Sequence, residues 1–255
     1  PAAPRLSNFI FADWYSDSAC TTPFTDTTFS ENLTLYAKWT PITYKIVYNA
    51  NGNNVTGTMS EQVLTYDKAA NLTDNAFART GYTWLNWNTA ANGTGTTYTD
   101  GQSVLNLASV QDTVINLYAQ WKAHTYTIKF NANGGEGSMA DMAMTYDVAK
   151  NLTANTFTKP GYTFAGWTTL ANGTGQSYAD GQSVNNLTAT DGGEITLYAN
   201  WSANEQTLTV DSNGGVNSAN LLYVAKGAAN DTITYAPSGV NTFSGGHTNS
   251  ITYAG

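Results

Sequence analysis

Residues 161–201 read GYTFAGWTTLANGTGQSYADGQSVNNLTATDGGEITLYANW, and residues 81–121 read GYTWLNWNTAANGTGTTYTDGQSVLNLASVQDTVINLYAQW. The likeness extends upstream. Residues 59–121 align with 139–201 at a constant offset of 80, and 33 of the 63 positions are identical. Self-similarity at a fixed period makes each copy one structural unit of a tandem array. At the front of the unit, YKIVYNANG (44–52) matches YTIKFNANG (126–134) at an offset of 82. Two residues are therefore inserted near 53–58, where a loop tip accepts them. A back half of the motif occupies residues 1–39; its tryptophans, Trp14 and Trp39, are 25 apart where the full copies have 34. Residues 206–215 restate the opening of the motif, but nothing after them supplies Gly-Tyr-Thr, Trp or Leu-Tyr-Ala. The expected organisation is a partial repeat at 1–39, full repeats at 44–121 and 126–201, and a divergent or truncated repeat, or the start of another domain, at 206–255.

Within a unit, Tyr126, Ile128 and Phe130 alternate with Thr127 and Lys129, and Ile195, Leu197, Ala199 and Trp201 alternate with Thr196, Tyr198 and Asn200. This period of two marks half-buried strands. Residues 142–146 and 162–167 read as two more. Asn-Gly at 51–52, 92–93, 133–134 and 172–173 is tight-turn chemistry, which makes Gly52, Gly93, Gly134 and Gly173 the turn glycines. Residues 147–152 could form one short helical turn. The fold class is thus mainly β or small α+β. Trp14, Trp39, Tyr82, Trp87, Trp121, Tyr162, Trp167 and Trp201 are the expected structural anchors, because a unit this small has few other large apolar side chains to bury. Tyr36, Tyr118 and Tyr198 face away from the alternating apolar set; burial under the helical turn is favoured for them over an exposed binding surface. Four residues (40–43, 122–125, 202–205) separate the closing Trp of one unit from the next, too few for flexible tethers, so the units should form a linear array with restricted orientations.

Composition narrows the class. Charged residues make up 11% of the 255, the net charge is −8, and Thr (40) and Asn (28) together outnumber them. Such residues favour strands, turns and caps over helix interiors. With 10 scattered Lys and Arg, no basic stripe exists to neutralise phosphates, which excludes nucleic acid and anionic membrane as partners. Cys20 is the single cysteine, so an intrachain disulfide and cysteine zinc patterns are excluded. No apolar run approaches the roughly 18 residues of a membrane span, and the N-terminus has no signal-peptide pattern. The chain opens near Phe9-Ile10-Phe11 and closes at Tyr253-Ala254-Gly255, and both ends are expected to be cuts through a longer polypeptide.

The pattern Asn-x-Phe, Gly-Tyr-Thr-Phe-Ala-Gly-Trp, Asn-Gly-Thr-Gly, Tyr-x-Asp-Gly and Leu-Tyr-Ala-x-Trp resembles the Listeria-Bacteroides repeat, related to the B repeat of internalin-type surface proteins. It is carried by Asn155, Phe157, residues 161–167 and 172–175, Tyr178, Asp180, Gly181 and residues 197–201, and again 80 residues earlier. Trp84-Leu85-Asn86-Trp87 departs from the Phe-x-Gly-Trp core. The resemblance implies a β-grasp-like fold, secretion, and tandem arrays in large bacterial surface proteins that act as stalks or interaction modules without catalysis.

Catalysis needs convergent titratable groups. The two histidines, His124 in a linker and His247 in the Gly-rich tail, have no triad partners. Asp100-Gly101 and Asp180-Gly181 lack the six to eight oxygens of a calcium site and read as turn formers. No helix or Lys follows Asn-Gly-Thr-Gly to bind phosphate. Lys45 and Lys129 are the candidates for a Lys–Asn crosslink, although they are not equivalent positions. Asn-x-Ser/Thr sequons, among them Asn32, Asn54, Asn71, Asn92, Asn151, Asn172, Asn186 and Asn230, follow from so much Asn and Thr. The expectation is therefore no enzyme and no cofactor or metal, but a stalk or spacer of an extracellular, cell-surface adhesin-like protein. Its partners are neighbouring repeats and possible copies of itself. An alternative is a self-assembling filament or layer subunit in which residues 1–39 and 204–255 of different chains complete each other by strand addition. A second alternative is a module binding a surface glycan or host protein.

Overall fold

The computed structural model describes residues 2–26, 28 and 31–207, together with the short strands Tyr223–Ala225, Thr232–Thr234 and Ser250–Thr252. Two compact units divide it, Pro1–His124 and Thr125–Gly255. Each holds one full repeat with the same five-stranded sheet.

In the first unit the opening strand, Thr43–Asn49, buries Tyr44, Ile46 and Tyr48 and turns Thr43, Lys45, Val47 and Asn49 to the other face. On one side lies the second strand, Gln62–Thr65, antiparallel. On the other lies the closing strand, Val114–Ala123, parallel from Lys45↔Val114 to Asn49↔Tyr118. The closing strand then pairs antiparallel through its second half with the tryptophan strand, Tyr82–Asn88, across a bulge after Gln120. A two-residue tip strand, Thr97–Tyr98, completes the order second–opening–closing–tryptophan–tip. The second unit repeats this with Met142–Thr145, Thr125–Asn131, Gly193–Ala203, Tyr162–Thr168 and Ser177–Tyr178. The core lies on one face of each sheet. Tyr44, Ile46, Leu64, Leu72, Trp87, Val104, Leu117 and Ala119 meet in the first, and Tyr126, Ile128, Met144, Leu152, Phe157, Trp167, Val184, Leu197 and Ala199 in the second.

No helix occurs among the described residues, which settles the fold class as mainly β. The helical turn expected at 147–152 does not form. Asp147 adopts φ 61°, outside the helical region, and Lys150–Asn151 pairs with Ser183–Val184 as a two-stranded ladder. The cause lies 39 residues away: the Asp147 amide donates to Asn186 Oδ1 at 2.6 Å, and Asn186 Nδ2 donates back to Asp147 Oδ1 at 2.8 Å. Asp67 and Asn106 make the same clasp in the first repeat. With no helix to cover them, Tyr118 and Tyr198 are half-buried on the open sheet face and Tyr36 is 38% exposed.

The four-residue linkers are largely taken up by strands. Tyr36–Pro41 precedes Thr43–Asn49, Val114–Ala123 precedes Thr125–Asn131, and Gly193–Ala203 precedes Glu205–Thr207, with one residue between strands each time. Their polar side chains belong to strands whose ladder hydrogen bonds continue past the closing Trp, as in Lys122↔Thr83 and Ala123↔Tyr82.

The partial repeat consists of Phe9–Tyr15 paired antiparallel with Tyr36–Pro41. Leu35, Ala37 and Trp14 are half-buried there, whereas their counterparts Leu117, Ala119 and Trp87 are fully buried. Residues 206–255 lie largely outside the described residues. Glu205–Thr207 pairs with Tyr223–Ala225 from Glu205↔Ala225 to Thr207↔Tyr223, 80 residues on from Thr125↔Thr145 to Thr127↔Ala143.

Candidate functional site

The recurrent side chains assemble three structural features: an aromatic core, a loop system and a joint between strands. The first is the aromatic core. Trp87 and Trp167 are 0% and 1% exposed. Tyr48, Phe77 and Trp84 surround Trp87 with ring centroids at 4.9, 6.0 and 5.6 Å, and Phe130, Phe157 and Phe164 surround Trp167 at 4.8, 6.1 and 4.9 Å, in the tilted and edge-on arrangements that aromatic quadrupoles favour. Trp121 and Trp201 stand half-buried at the margin, and each donates its indole N–H to a loop carbonyl: Ala50 at 2.8 Å and Ala132 at 2.9 Å. Tyr82 and Tyr162 are half-buried too. Their rings face the cations of Arg79 at 3.6 Å and Lys159 at 4.5 Å. In the partial repeat Phe11 packs between Trp14 and Trp39, at 5.3 and 5.9 Å.

The second feature is the loop system at one end of the sheet. Asn51 takes φ 49° and Asn133 φ 50°. Asn51 Nδ2 donates to the carbonyls of Ala91 and Ala119, both at 2.8 Å, and Asn133 Nδ2 to those of Ala171 and Ala199 at 2.8 and 2.9 Å. One amide thus joins the opening-strand turn, the tip hairpin and the closing strand. At the expected turn glycines, Gly93, Gly134 and Gly173 have φ of 78°, 81° and 81°. Gly52 does not adopt a positive φ, and in its loop Asn51 and Asn54 are the left-handed residues; a Cβ at Gly52 would lie 3.1 Å from the Arg79 guanidinium.

In the first repeat the tip is organised by Asn88, 1% exposed. Its Nδ2 lies 3.1–3.2 Å from the carbonyls of Gly93 and Gly95 and from Thr97 Oγ1, and its Oδ1 accepts the amides of Ala90 and Gly95 at 2.9 Å. A buried amide is tolerated only when satisfied in this way. In the second repeat Thr168 takes the place, 0% exposed, with one bond, from the Leu170 amide at 3.4 Å. Within the tip hairpin, Gly95 and Gly175 are the stringent glycines: a Cβ would overlap Thr89 Oγ1 or Thr169 Oγ1. Composition hides them, as nothing distinguishes the second glycine of Asn-Gly-Thr-Gly from the first.

The third feature is the joint. The backbone N–H of the residue between strands donates to the carbonyl before the tryptophan strand: Ile42 to Asn8 at 3.1 Å, His124 to Gly81 at 2.8 Å, Asn204 to Gly161 at 2.9 Å. Asn8, Gly81 and Gly161 all have positive φ. His124 Nε2 lies 2.9 Å from Thr83 Oγ1, and Thr163 Oγ1 donates to Asn204 Oδ1 at 2.6 Å. In the first unit Asn8 Nδ2 also donates to the Tyr66 hydroxyl at 2.8 Å, tying the partial repeat to the full one.

Asp100 and Asp180 accept the amides of Asn75 and Asn155 at 2.8 and 2.9 Å, as turn-forming carboxylates do. Lys45 pairs with Glu61 at 2.7 Å and Lys129 with Glu194 at 2.8 Å, both in solvent. These glutamates, by hydrogen bond and charge, raise both lysine pKa values. Cys20 is half-buried. Among the described residues no three His, Cys, Asp or Glu side chains gather to hold a metal ion, and no helix is long and apolar enough to cross a membrane.

The model of the Listeria-Bacteroides repeat domain matches residues 1–38, 44–120 and 126–200. Over 141 residues, 54% of this chain, the sequence is 36% identical to a protein of Evansella cellulosilytica named "Putative Gly-rich membrane protein". Over 226 residues, 84% of this chain, it is 27% identical to another protein of that organism named "Putative membrane protein". The chain spans 16% of the first relative and 29% of the second. No solved structure matches.

Proposed function

Because this chain belongs to the Listeria-Bacteroides repeat family, we propose that it is a structural spacer of a bacterial cell-envelope protein, projecting another part of that protein outward as a stalk of extracellular repeats. The observation that carries this reading is the joint: the closing strand of one repeat gives way to the opening strand of the next across a single residue. Names of both relatives as membrane proteins support an envelope location. Catalysis has no part in the proposal. Small-angle scattering with sedimentation velocity tests it: a monomer whose longest dimension grows in equal steps as repeats are added is the expected result, and a compact particle of constant length would refute it.

The half-buried state of Trp14, Leu35 and Ala37 favours a second reading, assembly of chains by strand addition to the partial repeat. Polymers forming with rising concentration in the same sedimentation runs would replace the spacer with a building block.

A further inference from the structure

We propose that each full repeat is a mechanical clamp, in which the parallel opening and closing strands resist, in shear, a pull applied along the chain. Five residue pairs join them in the first repeat, Lys45↔Val114 to Asn49↔Tyr118, and six in the second, Tyr126↔Gly193 to Asn131↔Tyr198. The chain enters a repeat at the N-terminal end of the opening strand and leaves at the C-terminal end of the closing strand. Since the strands run parallel, those points lie at opposite ends of the ladder. Tension between them slides one strand along the other, and the evenly spaced rungs of a parallel pair share the strain. No rung can open ahead of its neighbours. The same rungs drawn apart from one end would break one after another, each bearing the whole force in turn.

Other bonds reinforce the clamp where the pull enters. In the first repeat the Asp112 amide donates to the Thr43 carbonyl at 2.9 Å and the Lys45 amide to the Thr113 carbonyl at 2.8 Å. Gln111 Oε1 accepts the Thr43 amide at 2.9 Å while its Nε2 donates to Thr43 Oγ1 at 3.1 Å. In the second repeat the Gly192 amide donates to the Thr125 carbonyl at 2.7 Å, and Asp191 Oδ1 accepts the Thr125 amide at 2.9 Å. At the far end Asn49 Nδ2 bridges to the Leu117 carbonyl at 3.4 Å and Asn116 Oδ1 at 3.2 Å. Ile46 and Leu117, both 0% exposed, keep water from one face of the rungs, so a stretched bond finds no ready replacement. The exit half of the closing strand is held along the same axis by the tryptophan strand. The partial repeat, whose described strands pair only antiparallel, has no such ladder.

Clamping is a property of the repeat; its use under tension in the cell rests on the spacer reading. Forced unfolding follows the unfolding rate rather than the equilibrium stability, so the two can be separated. Single-molecule force spectroscopy on the full chain carrying Cys20→Ser would use cysteine handles at exposed positions. Thr40→Cys with Lys122→Cys loads the ladder in shear, and Thr40→Cys with Val110→Cys, the latter replacing a residue 66% exposed, peels it from one end. Each variant should melt as its parent does, and the shear pair should unfold at a several-fold higher force than the peeling pair. Gln111→Ala should lower the shear force, while Val104→Ala, in the core away from the ladder, should lower the melting temperature and leave the shear force in place. Equal forces in the two geometries, or a shear force that follows Val104→Ala rather than Gln111→Ala, would overturn the clamp. Solution length under zero force would be unchanged by that failure, so the spacer reading stands or falls separately.

Discussion

The tryptophans that recur through the sequence have two different jobs, and only burial separates them. Trp167 is enclosed by Phe130, Phe157 and Phe164, whereas Trp201 spends its indole N–H on the Ala132 carbonyl. Trp167→Ala should cost about 3–5 kcal/mol. Trp201→Phe should cost about 1 kcal/mol, the net worth of one hydrogen bond; chemical denaturation of both variants checks the ranking. The repeats also solve one problem twice. In the first, Tyr48 Oη donates to Gln62 Oε1 at 2.6 Å and accepts the Thr73 amide at 2.8 Å; in the second, Phe130 and Met142 occupy these positions without a polar group. Burial raises the Tyr48 pKa. Outside the full repeats, Asp17 accepts the Thr22 amide at 2.7 Å and the Thr21 amide near 3.1 Å, above all the first, and these bonds lower its pKa from 3.8. A lowered folded pKa gives stability that is complete above the unfolded value and lost as the pH falls through the folded one. The melting difference between the parent and Asp17→Asn should therefore hold at neutral pH and vanish in acid, and a carboxyl NMR titration should place Asp17 below the ordinary aspartate value.

At the scale of elements, the tip hairpin hangs on one buried amide. Asn88→Ala would leave two amides and two carbonyls without that partner and should destabilise the first repeat by about 2–3 kcal/mol. Hydrogen exchange should speed up at 89–96 before it does elsewhere. The strands themselves were legible, since alternation in Tyr126, Ile128 and Phe130 states which face is buried. The short helical turn expected at 147–152 fails to form because the residue that forbids it is Asn186, 39 positions later, and local propensity carries no trace of such a partner. The joints look like four-residue linkers for a related reason: Lys122 and Ser202 are polar because their strand has an open face. Asn51 and Asn88 shared their visibility with every other asparagine in an Asn-rich chain, so nothing marked them as the pair that binds the loops together.

At the scale of the whole chain, each unit holds its own core, so separate melting transitions are expected. Calorimetry of Trp167→Ala should show one transition displaced downward while that of the unit containing Trp87 keeps its midpoint; a common shift of both would mean that they unfold as one cooperative body. The joint has a further consequence, for ancestry. Each full repeat begins with an opening strand and ends with a closing strand, and the residue between strands makes the same amide-to-carbonyl bond whether it is Ile42, His124 or Asn204. A crossover between misaligned copies of the gene, falling anywhere in the motif, therefore adds or removes one whole period and leaves every seam sound. Length becomes a heritable quantity counted in integers, which a lineage can change in a single event without inventing a new contact.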